Sequence, residues 1–148
     1  MNENKLGRKL IMTIVLPLTI ILFGAVTKWR YVFVEDGPDD FLYGFPFTFR
    51  CSGWHTSMSL QIFVLELIID FLVYFLLCWS IIFLIDRFIK PLIINNNLKL
   101  GLYGLATITL LVYGIVFSNP DNIFEWKRDF KYEEIRNGYK FVWQQDRR

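Results

Sequence analysis

Two carboxylates, Glu66 and Asp70, are the residues best placed to do chemistry, set four apart in an otherwise apolar stretch. On a helix that spacing puts both on one face. An ionised carboxylate at the centre of a bilayer costs about 2.5–3.5 kcal/mol on insertion scales, and two on one face repel. A chain that keeps such a pair holds it near the interface or gives it partners. Arg50 and His55, just upstream, are able to hydrogen-bond the acids or tune their proton affinity. Glu66, Asp70, His55 and Arg50 therefore form a candidate ion or proton site. The motif itself is weak. Its alternatives are an interfacial pair bonded to water, His55 or Arg50, and a salt bridge to a partner subunit.

Other chemistries lack their residues. There is no Gly-rich phosphate loop, Cys-x-x-Cys, His-Glu-x-x-His or Gly-x-Ser-x-Gly. A single histidine cannot build a multi-histidine metal centre. Cys51 falls in a polar-aromatic loop and Cys78 deep in an apolar run, which disfavours a bridge. No catalytic, cofactor-binding or metal-ligating set is assigned, and enzymatic activity by this chain alone is disfavoured. The net charge of +2 and the lack of a separate basic stripe weigh against nucleic acid.

The elements that must position these residues follow from hydropathy. The chain has 148 residues, 54% of them hydrophobic. Its mean hydropathy is +0.37. Three segments approach the roughly 20 apolar residues needed to cross a bilayer: 10–27, 60–85 and 98–117. The expected fold is an all-α integral membrane protein with three transmembrane helices. Its parts are a cytoplasmic tail (1–9), an external aromatic and acidic loop (28–59), a short cytoplasmic loop (86–97) and a polar C-terminal tail (118–148). Segment 10–27 exceeds the apolar core of a cleaved signal peptide and reads as a retained anchor bent at Pro17. Segment 60–85 is overlong, so Glu66 falls at the outer interface and Asp70 about a turn deeper. Thr56, Ser57 or Ser59 is its expected N-cap.

Lys5, Arg8, Lys9, Arg87, Lys90 and Lys99 favour a cytoplasmic N-terminus, although the C-terminal tail is also rich in Lys and Arg. Tyr31–Val34 can be extended. Phe41–Trp54, too aromatic for a solvated loop, reads as an interfacial segment or a lid. The short loop makes the second and third helices antiparallel neighbours. Gly101, Gly104, Thr107 and Gly114 mark a helix-packing face. In the tail, a short amphipathic helix is expected before an Asn137-Gly138 hairpin turn.

Tyr43-Gly-Phe-Pro-Phe-Thr-Phe, Gly53-Trp-His-Thr-Ser-Met-Ser and Gln61-Ile-Phe resemble segments of small multi-pass bacterial membrane proteins. The resemblance implies a bacterial inner membrane and carries no activity or site residue. The expected function is a non-enzymatic structural or accessory subunit of a membrane complex, in contact with lipid and able to form a homo-oligomer. The alternative is an oligomeric ion- or proton-linked transport component using Glu66 and Asp70. A lipid-interacting enzyme is a third, weaker reading.

Overall fold

A computed structural model describes residues 10–35, 37–53, 58–89 and 95–144. Helix α1 covers Ile11–Ala25, and its first turn, Ile11–Val15, is π-type. Pro17 stands at the start of the regular helix that follows, where its missing N–H is tolerated. The Thr19 hydroxyl donates to the Val15 carbonyl at 2.8 Å. At about 1.5 Å per residue α1 is ~22 Å long, shorter than a ~30 Å hydrocarbon core.

The chain then turns extended without a loop. Val26 has φ −116° and ψ 128°, and the β-branched and aromatic run Val26–Val34 forms strand β1. This strand includes the expected extended stretch Tyr31–Val34. Strands β2 (Asp40–Tyr43), β3 (Arg50–Ser52) and β4 (Leu60–Phe63) follow in an antiparallel meander. Helix α2 (Val64–Leu84) starts directly from β4 and is extended by a π turn over Ile85–Ile89. Helix α3 covers Asn96–Phe117. Strand β5 (Ile123–Glu125) runs parallel to β4, and β6 (Tyr132–Phe141) pairs antiparallel with β1. The result is one six-stranded mixed sheet in the order β5-β4-β3-β2-β1-β6.

That sheet overturns the all-α expectation. Residues expected to form an external loop and a polar tail instead build a single sheet, with Val32, Val34, Leu42, Cys51 and Phe63 at its core. The multi-pass description with three spanning helices is also corrected. Among the described residues, only α2 with its π turn (Val64–Ile89) and α3 are long and apolar enough to cross a membrane. The apolar run at 60–85 is overlong because its first four residues are strand β4. Phe63 takes the N-cap position without a side-chain bond, and Ser59 lies ahead of β4. Thr56 and Ser57 fall outside the described residues.

Three other expectations change. Helix α1, packed against both α2 and α3, is the middle helix. Among the described residues, a Cβ on Gly101, Gly104 or Gly114 would meet no atom within 4 Å, so these glycines do not mark a close helix contact there. The expected amphipathic helix is instead strand β5, an irregular stretch and β6. Asn137-Gly138 lies within β6, opposite Arg30 and Trp29, and makes no hairpin turn.

Candidate functional site

The site forms where the first two turns of α2 meet the sheet. Glu66 and Asp70 lie on one face of α2 and both are buried, Asp70 fully. Their partners are main-chain N–H groups from distant segments. Asp70 Oδ1 accepts from Phe47 N–H at 2.9 Å. Glu66 Oε1 accepts from Arg128 N–H at 3.3 Å. Asp70 Oδ2 and Glu66 Oε2 are buried and have no hydrogen-bond partner.

The loop that Asp70 holds is also held from the other side. Arg30, in β1, is buried. Its guanidinium donates to the Gly44 carbonyl at 3.1 Å and the Pro46 carbonyl at 2.8 Å. Its Nε is 3.1 Å from a Glu134 carboxylate oxygen on β6. Gly44 completes the wrap. Its φ is +140°, and a Cβ there would lie 2.2 Å from the Phe47 carbonyl oxygen and 2.9 Å from Asp70 Oδ2.

Glu66 holds a different segment. The chain between β5 and β6 joins opposite edges of the sheet. This strap packs over the sheet, with Phe130 and Tyr132 against its core. Phe130 packs edge-on against Phe63 at 5.7 Å between ring centres. The Trp126 carbonyl accepts from Leu65 N–H at 3.0 Å, capping a first-turn donor of α2 in place of a side-chain cap. Arg128 donates from Nη1 to buried Thr48 Oγ1 at 2.5 Å and lies 4.6 Å from the Tyr132 ring centre.

The candidate set is thus only partly brought together. Glu66 and Asp70 share the buried face. Arg50 does not bond either acid. Its guanidinium lies 5.1 Å from the Tyr43 ring centre and 6.0 Å from that of Phe49. His55 lies outside the described residues. Arg30, Arg128 and Thr48 are additions that sequence reasoning missed. An arginine inside a β-branched and aromatic run was the available sign for Arg30. Arg128 gave none, because its role depends on a crossing between strands distant in sequence.

Beside this centre Cys51 is buried, its Sγ 3.6 Å from Gln61 Oε1. Burial, reinforced by Asp40 and Glu125, pushes its thiol up to about 12. Cys51 and Cys78 are both free. Among the described residues no three His, Cys, Asp or Glu side chains are grouped to hold a metal ion. Chemically the acids serve as acceptors that fasten a loop and a strap to one helix. No family model, curated protein or solved structure matches the chain.

Proposed function

We propose that this protein is a non-enzymatic, membrane-associated structural or accessory component. In this reading the α2–α3 hairpin sits in lipid and the sheet lies at the bilayer surface. One observation carries it. Only 11% of the apolar stretch of α2 and 6% of that of α3 are buried within the chain. A core helix of a soluble protein would be largely covered, and large exposed apolar patches require a partner phase. Both helices return to adjacent strands of one sheet, so their sheet-side ends share one side of the membrane. Arg87, in the π turn that ends α2, and Lys90, three residues later in sequence, favour the cytoplasm for the opposite side. Glu66 and Asp70 act here as fasteners that keep the sheet seated on the helices.

The test is alkaline carbonate extraction of membranes from cells expressing the full chain. The protein is expected in the pellet and to be released by detergent. Recovery in the carbonate supernatant would sink the proposal. The transport reading draws on one feature, the unpartnered buried oxygens of Asp70 and Glu66. Proton flux in proteoliposomes that is lost in Glu66→Gln and Asp70→Asn while both variants stay folded would favour it over fastening.

A further inference from the structure

Between α2 and α3, with α1 as its floor, runs an apolar groove of about 510 Å³. That size falls within the ~300–1,000 Å³ of ordinary ligand pockets. Phe23 and Gly24 line its floor, Leu67 and Phe71 one wall, and Leu110 and Tyr113 the other. Gly24 lies two residues before β1 and Leu67 four residues after β4, so the groove occupies the sheet end of the helices. If the helices are in lipid, this is the depth at which acyl chains meet headgroups.

A positive group stands close to this end. The Phe23 ring stacks on Phe49 with centres 5.3 Å apart. The Arg50 guanidinium is 6.0 Å from that same Phe49 ring. Arg50 Nε is buried without a hydrogen-bond partner. Lys140 Nζ lies 4.5 Å from the Tyr43 ring, which Arg50 also approaches, so two cations converge on one aromatic side chain. A guanidinium two rings away from an open apolar groove complements an aliphatic chain that carries an anionic head. Arginine is suited to phosphate, and such charge-assisted bonds are the stronger ones.

We infer that the groove binds one acyl chain of an anionic bilayer phospholipid, with the headgroup phosphate at Arg50. This rests on the membrane reading above. The phospholipid places its chain against Phe23, Phe71 and Leu110, and Lys140 adds long-range attraction for the anion.

The test uses the full chain, delipidated in mild detergent, and native mass spectrometry with added phosphatidylglycerol or phosphatidylcholine of matched chains. The wild type is expected to favour phosphatidylglycerol by about tenfold, because both lipids carry the phosphate but phosphatidylcholine adds a choline cation, which Arg50 and Lys140 repel. Arg50→Gln is expected to bring the two lipids to near parity. Leu110→Trp alters a residue that is 57% exposed and fills the groove, so it is expected to lower occupancy by both lipids. Glycerol phosphate, which has the head without the chain, is expected not to displace the lipid. Equal binding of the two lipids by the wild type, or Leu110→Trp with undiminished occupancy, overturns the inference. Failure of membrane association itself is read separately, in the carbonate extraction. Circular dichroism confirms that each variant is folded before its lipid binding is scored.

Discussion

At the scale of single residues, Asp70 and Gly44 form a matched pair. Asp70 offers an acceptor in the second turn of α2, and Gly44 adopts a backbone that brings Phe47 N–H to it. Asp70→Asn keeps an acceptor oxygen and is expected to retain most stability. Asp70→Ala leaves the Phe47 N–H without this acceptor and is expected to cost on the order of 1–3 kcal/mol. Thermal unfolding in detergent measures the difference, and equal losses in the two variants would show that the bond is not the source. Gly44→Ala combines a disfavoured φ with a Cβ placed against backbone, so a loss of about 1–3 kcal/mol or more is expected in the same assay. Cys51 gives a pH-dependent expectation. Its folded thiol ionises near 12 against an ordinary 9.0, so the folded state holds its proton where the unfolded state has lost it. Its contribution is fully present below pH 9 and is lost as pH rises from 9 towards 12. Maleimide labelling at pH 8, read by intact mass, is expected to be slow at Cys51 in the folded protein and fast in denaturant.

At the scale of elements, close approach decides which glycines matter. A Cβ on Gly24 would lie 2.2 Å from Thr109 Cγ2, where α1 meets α3. Tyr113 and Tyr103 also fasten α3 to α1, donating to the Gly24 and Met12 carbonyls at 3.3 and 2.7 Å. Gly24→Leu is therefore expected to separate the helices and cost about 1–3 kcal/mol. Gly114→Ala, with open space around it inside α3, is expected not to destabilise and to gain up to about 1 kcal/mol of helix propensity. Parallel melting curves test the contrast, and equal effects would overturn it.

The same elements show what a linear reading can and cannot reach. The shared face of Glu66 and Asp70 follows from their spacing, and the two long helices from their apolar length. Strand β4 was hidden because its four residues continue the hydropathy of α2. Strand β1 was hidden because it leaves α1 without a turn residue. Asn137-Gly138 carried a hairpin signal, yet Gly138 sits in a strand where its missing side chain makes room for the Trp29 ring, 3.0 Å from where a Cβ would stand. The β4–β5 pairing joins residues about 60 apart, and no local pattern reports it.

At the scale of the whole molecule, helices and sheet are bound together by direct connections and by contacts such as Phe23 on Phe49 and Asp70 on Phe47. The α2–α3 hairpin is inserted between neighbouring parallel strands, and the strap crosses the sheet against the base of α2. The two outermost strands, β5 and β6, both come from the segment after α3. A ribosome working at roughly 5–20 residues per second therefore completes β1–β4 several seconds before either border strand emerges. During that interval β1 and β4 carry raw, unpaired edges, the usual templates for aggregation. Any chain that stops early, or whose hairpin fails to return, keeps both edges open. Removal of residues 119–148 is expected to move the protein from a discrete peak to the void volume in size-exclusion chromatography. The order of synthesis thus makes late arrival of one short segment the step at which a nascent molecule either seals itself or becomes adhesive on two sides at once.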